Sequence, residues 1–364
     1  MCCLSSLYEG ESARMAHKKT NSNNIIMGIK KIVTICGGNG GFSLLRGLKK
    51  FDWDISAIVA MTDDGGSTGR LRKELGVLPP GDVRYCLSAL SDLPDPWEKV
   101  WNYRFESGGL KGHTAGNILL AGLEKFYGSF LEAVREMEKL LHVRGSIIPA
   151  TLDNAELNVR LNNGKIIRGQ NKINLYENLQ REGVKKIFIS PKTKANPKAV
   201  ESIKGADIVL VGPGNLYCSI LPTLVMKEVR EALIETRALV VFNCNLVNRK
   251  DQTEHFDLDE YAKIINKHMG ADRIDAVTIH RSLKAAALKK LCLNANDLVK
   301  YNPAKIKNRK YRVFEADLLD KECVSHSKSD AIAYLRSPVR HDGEKVGKAV
   351  IEIYQKMSKL KCKS

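Results

Sequence analysis

From Lys31 onward the chain repeats one unit: a short run rich in Val and Ile, a turn carrying glycine, and then apolar residues at helical spacing. Lys31–Cys36, Ile55–Met61, Lys186–Ser190, Asp207–Gly212, Leu239–Asn243 and Ala276–Ile279 are such runs. A strand that is apolar throughout must be buried on both faces, which calls for helices on both sides of a parallel sheet built from βαβ units. The expected class is therefore α/β, a Rossmann-like doubly wound and mostly parallel sheet. With 364 residues, 43% hydrophobic and 27% charged, the chain can bury a core of that kind. Disorder, collagen and coiled coil are excluded as descriptions of the whole. No apolar run reaches the ~18–20 residues of a membrane helix, so no membrane role is expected.

Residues 1–28 are polar, lack an apolar signal core and read as a disordered tail, with Met27 as an alternative start just before the first strand. Residues 29–364 read as one α/β domain. Within it, about residues 144–175 change character: Ala155–Leu161 alternates polar and apolar side chains, and Asn162-Asn163-Gly164 makes a turn. That is a β-hairpin signature, expected as a small antiparallel β insert. Helices are expected over Phe42–Lys50, Val83–Leu90, Ile118 to His142, Leu258–His268 and Gly343–Met357.

Nine cysteines occur without a Cys-x-x-Cys pair, which argues against a disulfide framework and a zinc ribbon and fits a reducing cytoplasm. Cys36, Cys86, Cys218 and Cys244 read as small core residues. The net charge of +17 favours an anionic ligand. It is spread along the chain without basic-aromatic interleaving, so a nucleic-acid partner is not expected.

The chemistry-bearing residues stand in the turns. Gly37-Gly38-Asn39-Gly40-Gly41 lies between the first strand and a helix, where backbone N–H groups and the helix N-terminus favour a phosphate. It lacks the third glycine of the dinucleotide fingerprint and the Gly-Lys-Ser/Thr of a P-loop. The second loop, Thr62 to Arg72, carries Asp63, Asp64, Gly65, Gly66, Ser67 and Arg70 at the end of a strand. Asp63 and Asp64 can accept ribose hydroxyls, hold Mg²⁺ or act as a base, and Arg70 or Arg72 can clamp a diphosphate. No other cofactor has a motif here. Asp82 and Arg84 follow a rigid Pro-Pro-Gly turn, and His113 and Asn117 open a helix whose dipole favours the neutral imidazole. Gly214 and Asn215 sit in a further strand-end turn, and Arg340 precedes the last helix. Candidate catalytic groups are Asp63, Asp64 and His113, each with a capping or packing alternative.

Taken in order, the blocks Gly37–Gly41, Asp63–Arg72, Pro79-Pro80-Gly81-Asp82-Val83-Arg84, Gly112–Asn117, Gly212–Tyr217 and Val339-Arg340-His341-Asp342 resemble the YvcK family, over about residues 31–355. That family is similar to the CofD superfamily, whose enzymes transfer a phospholactyl-type group from a guanosine diphosphate-linked donor to a deazaflavin precursor. YvcK members are described as cytoplasmic factors for gluconeogenic growth and cell shape that bind UDP-sugars such as UDP-N-acetylglucosamine. The resemblance implies a nucleotide diphosphate near Gly38, Asn39, Gly40 and the Asp63–Arg70 loop, with Asn215 and Arg340 completing the site and His113 and Asn117 lining the cleft. It also implies a protein partner in cell-wall or carbon metabolism and leaves a homodimer open. Three departures stand out: the first loop is closer to the CofD version than to Gly-Gly-Gly-Thr-Gly, Cys218 replaces a common Thr, and Asn-Leu-Val-Asn-Arg-Lys-Asp at 245–251 replaces a Met-Thr-Gln-rich stretch. The alternative to a UDP-sugar-binding regulator is a CofD-type 2-phospho-L-lactate transferase.

Overall fold

The computed structural model describes residues 31–281, 288, 291, 293, 297–304, 309–320, 337 and 339–361. The expected tail lies outside them. In chain order the elements are β1 (Lys31–Ile35), α1 (Gly38–Leu48), β2 (Asp54–Val59), α2 (Gly66–Leu75), α3 (Pro80–Leu90), α4 (Asp95–Asn102), α5 (Ala115–Tyr127), α6 (Phe130–Leu140) and β3 (Ser146–Pro149). There follow β4 (Glu156–Leu161), β5 (Ile166–Arg168), α7 (Gln170–Asn174), α8 (Leu179–Glu182), β6 (Val184–Ser190), α9 (Pro197–Gly205) and β7 (Ile208–Val211). A π-helical turn (Leu216–Ile220), α10 (Leu221–Leu224), α11 (Lys227–Glu235), β8 (Leu239–Asn243), α12 (Leu258–Met269), β9 (Ala276–His280), β10 (Arg312–Ala316) and α13 (Gly343–Lys361) complete it.

The large sheet has the order β10-β9-β8-β7-β1-β2-β3, and every pairing in it is parallel. Strand alternation splits its side chains between two cores. Val33, Ile35, Val209 and Val240 pack with α9, α11, α12 and the small sheet, while Ile32, Leu210 and Val241 pack with α1, α3, α5, α6 and α13. Helices thus cover both faces, as the continuous apolar strands require. The chain winds outward from β1 in one direction through β2 and β3, then returns to β1's other side with β7. The strand order therefore reverses between β1 and β7, and open α/β sheets bind ligands in the crevice outside such a switch point.

Several expectations change in detail. The β4–β5 hairpin turns at Asn162–Gly164 as read, but the small sheet has a third strand, with order β5-β4-β6. Its third strand is β6, the Lys186–Ser190 run expected in the parallel sheet; it pairs antiparallel with β4. Conversely, Ser146–Pro149 pairs parallel with β2 and belongs to the large sheet. A short apolar run does not declare which sheet it joins, because partner choice is a long-range contact. The single helix expected from Ile118 to His142 is two, separated at Gly128, whose φ of 65° ends α5 in a left-handed cap. The second loop turns helical at Gly66, and β10 had no recognised strand pattern.

Candidate functional site

α1 begins directly after the switch-point strand β1. Its N-cap, Gly37, offers no side chain to the first turn, and that turn contains no acidic residue. The first intrahelical bond runs from Gly41 N–H to Gly37 O at 3.2 Å, so the N–H groups of Gly38, Asn39 and Gly40 have no acceptor within the helix. Across the switch point, the turn after β7 comes up against this loop: a Cβ on Gly40 would stand 3.3 Å from Pro213 O, and one on Gly214 3.5 Å from Gly37 N. The two turns thus pack backbone to backbone, with a tight fit at Gly40. Asn215 caps the following π-helical turn, its Oδ1 accepting the Tyr217 and Cys218 N–H groups at 3.0 Å each.

A cavity of about 690 Å³ opens at this place, within the range of sites for small organic ligands. Gly37, Gly38, Asn39, Gly40, Gly214, Asn215 and Arg340, all named from sequence, line it. Gly41 stands behind the wall, a Cβ there falling 3.0 Å from Cys36 Sγ. The sequence reading did not name as site residues several others in the lining, among them Asn174, Tyr176 and Glu177 at the end of the insert and just beyond it, Asn245, Arg249, Asp251 and Gln252 after β8, and His341 beside Arg340. Two signals bore on residues 245–252: their place at the carboxyl end of a buried strand and the departure of 245–251 from the YvcK pattern. Nothing local marked Asn174.

These newcomers form a clamp. Arg249 Nη1 donates to Asn174 Oδ1 at 2.6 Å and Nη2 to Asn174 O at 2.9 Å, while Gln252 Nε2 donates to Ile173 O at 3.2 Å. Asn215 Nδ2 donates to Gln252 Oε1 at 3.0 Å. A guanidinium at the carboxyl end of α7 complements its exposed carbonyls. The wall carries three cationic side chains, Arg249, Lys250 and Arg340, and three acidic ones, Glu177, Asp251 and Asp297, together with the first residues of α1.

Asp63, Asp64, Gly65, Gly66, Ser67, Arg70, Asp82, Arg84, His113 and Asn117 are not in the wall. Asp63 Oδ1 accepts the Gly65 N–H at 3.0 Å, and Asp64 Oδ1 accepts the Asn171 N–H at 2.6 Å, capping α7. Burial pushes the Asp63 carboxyl above its usual range, against the pull of the Gly65 N–H and the Thr68 hydroxyl. Asp82 stays close to the glycine loop, its Oδ2 3.4 Å from where a Cβ on Gly37 would stand. Arg70 Nη2 donates to Lys111 O at 2.6 Å.

Ser67, His113, Asn117 and Arg84 make a buried polar chain. Ser67 Oγ lies 2.9 Å from His113 Nδ1 and accepts from Asn117 Nδ2 at 3.1 Å; Arg84 Nε donates to Asn117 Oδ1 at 3.0 Å and its Nη1 to Asn102 Oδ1. Burial, with Arg70 nearby, lowers the His113 pKa and keeps its imidazole neutral. Among the described residues no group of three His, Cys, Asp or Glu side chains is arranged to hold a metal ion. A magnesium ion at Asp63 or Asp64 would depend on a ligand's own phosphates. Cys36 and Cys218 are buried thiols pushed up to about 12, and Cys86 and Cys244 are raised by burial as well, so all four behave as core residues.

The family model of CofD, described as 2-phospho-L-lactate transferase CofD, matches residues 32–319. The gluconeogenesis factor of Bacillus subtilis (strain 168) is 35% identical over 337 residues, covering 90% of this chain and 99% of that one. This chain belongs to the CofD family, in its gluconeogenesis-factor (YvcK) branch. The gluconeogenesis factor of Halalkalibacterium halodurans is 37% identical over 329 residues, 89% of this chain and 96% of its own. A crystal structure of a UPF0052-family protein from Bacillus halodurans superposes with a TM-score of 0.79 at 33% identity, covering 89% of this chain and 99% of that one. The YvcK-like loops therefore stand on the same scaffold as in those relatives. Among the described residues no helix is long and apolar enough to cross a membrane.

Proposed function

We propose that this protein is a cytoplasmic regulator that binds a UDP-sugar, with UDP-N-acetylglucosamine the first to test, and acts on carbon metabolism, cell-wall synthesis and cell shape through a protein partner. One observation carries the binding reading: the switch-point cavity joins the uncapped N-terminus of α1 to three cationic side chains in a space large enough for a nucleotide sugar. A diphosphate suits the glycine loop and Arg340, since unpaired helix N–H groups and a guanidinium are both donors aimed at anionic oxygens. The candidate acids favour a binding role over turnover, because Asp63 and Asp64 stand outside the wall and each already accepts a backbone N–H. The name of the relatives, gluconeogenesis factor, supports the regulatory half of the reading.

Titration calorimetry with UDP-N-acetylglucosamine tests it. Wild-type protein should bind, and Arg340→Ala should weaken binding by about 2–4 kcal/mol if the guanidinium meets the diphosphate in the cavity. Absence of heat from the wild type, or equal affinity in the variant, refutes the reading.

A second reading, CofD-type transfer of a phospholactyl group, is favoured by the family model and by Asp82 beside the glycine loop. Incubation with a guanosine diphosphate-linked donor, a deazaflavin precursor and Mg²⁺ should then give product, and Asp82→Asn should abolish it. No product, with guanine nucleotides failing to bind, removes this reading.

A further inference from the structure

His341 stands in the cavity wall next to Arg340 and is only 4% exposed. Its Nε2 lies 3.1 Å from Cys244 O. A carbonyl oxygen only accepts, so Nε2 carries the proton in this contact. Burial and neighbouring His280 push the His341 pKa down to about 4, which leaves the ring neutral near pH 7 and Nδ1 a bare lone pair. Nδ1 makes no hydrogen bond among the described residues and is not sealed from solvent, on a side chain that lines the cavity. The same wall holds donors, the first N–H groups of α1, Lys250 and Arg340, and also the carboxylates of Glu177, Asp251 and Asp297. A bare lone pair cannot be satisfied by an ionised phosphate oxygen, which only accepts, so Nδ1 is matched to a donor on the ligand.

We propose that His341 is a specificity-determining residue whose Nδ1 accepts a hydrogen bond from a hydroxyl of the ligand next to its diphosphate. This rests on the nucleotide-sugar reading of the cavity. Two kinds of hydroxyl flank a diphosphate in such a ligand, those of the ribose and those of the hexose, and both supply the O–H donor that Nδ1 lacks. A ligand whose phosphate is followed by a group without a donor would leave the lone pair desolvated and unpaired, which costs affinity.

Two substitutions separate this role from a structural one. His341→Gln keeps an N–H donor at the end of the side chain for Cys244 O and leaves no acceptor at the Nδ1 position, its own carbonyl oxygen lying beside the terminal NH₂ instead. His341→Asn keeps an acceptor near the Nδ1 position and loses the Cys244 contact. Calorimetry with UDP-N-acetylglucosamine and with UDP, beside thermal denaturation of each variant, gives the readout. His341→Gln should bind UDP-N-acetylglucosamine about 5- to 10-fold more weakly at an unchanged melting temperature, the size of one neutral hydrogen bond. His341→Asn should melt lower while keeping more affinity than the Gln variant. Weakening for both ligands assigns the hydroxyl to the ribose; weakening for the UDP-sugar alone assigns it to the hexose. Affinity that simply follows melting temperature across both variants, or wild-type affinity in His341→Gln, overturns the assignment. Failure of the wild type to bind either ligand instead overturns the nucleotide-sugar reading on which it depends.

Discussion

The carboxylate of Asp64 accepts the backbone N–H of Asn171 at 2.6 Å and so ties the loop after β2 to the first turn of α7. Three residues further on in the same helix, Asn174 is held by Arg249 and lines the cavity. Asp64 therefore acts on the ligand site through α7, from outside its wall. A Cβ on Gly169, the residue that opens α7, would lie 2.5 Å from Asp64 Oδ2, so the carboxylate has closed on the helix end.

Asp64→Ala should cost about 0.5–2 kcal/mol of stability, the value of a lost cap, and weaken ligand binding several-fold by loosening Asn174. Urea denaturation and calorimetry on the same preparation check both. A variant of wild-type stability that had lost only turnover would instead mark Asp64 as catalytic.

Asn117 links Arg84 to Ser67 in the interior. Asn117→Leu removes an acceptor from a buried guanidinium, and hydrogen bonds to charged groups are worth about 1.5–3 kcal/mol. Destabilisation of that size, with ligand affinity within twofold of wild type, is the expected outcome. A specific affinity loss at full stability would return Asn117 to the binding site.

Gly47 on α1 meets Gly343 at the start of α13, and a Cβ on Gly47 would overlap the Gly343 backbone. Gly47→Ala forces the two helices apart, an overpacking cost of about 1–3 kcal/mol or more. Because Arg340 lies three residues before Gly343 on the same segment, ligand affinity should fall too. Chemical denaturation and calorimetry of the variant provide the comparison.

Stability should decline as pH drops from about 6.5 toward 4. The His341 pKa falls from its ordinary 6.5 to about 4 in the folded protein, so between those values the unfolded chain binds the proton that the native state refuses. His113, His268 and His280 are lowered as well and add to the same slope. Well above pH 6.5, where the unfolded chain has also lost these protons, the groups contribute no pH dependence. The raised carboxyl of Asp63 works in the opposite direction at the acid end. Urea midpoints at pH 7.5, 5.5 and 4.5 measure the slope, which should be shallower in His341→Gln; a flat wild-type profile contradicts the neutral imidazole.

Fold class and one half of the site were legible in the residues themselves. Val33 and Ile32 are adjacent, equally apolar and buried in opposite cores, and that continuous hydrophobicity announces a strand covered on both faces. Gly37 to Gly41 is equally local, because a glycine-rich helix start without acids presents free backbone N–H donors suited to an anion by its own geometry. What the sequence could not determine was partnership at a distance. β6 reads as a parallel strand until β4 is placed beside it, and Asn174 reads as the end of a short polar segment until Arg249 reaches it across 75 residues. Asp63, Asp64, Arg84, His113 and Asn117 have the side chains of a reaction centre, yet folding turned them toward backbone N–H groups and one another. Residue type specifies what a group can bond, and only the tertiary structure decides which of its possible partners arrives first at hydrogen-bonding distance.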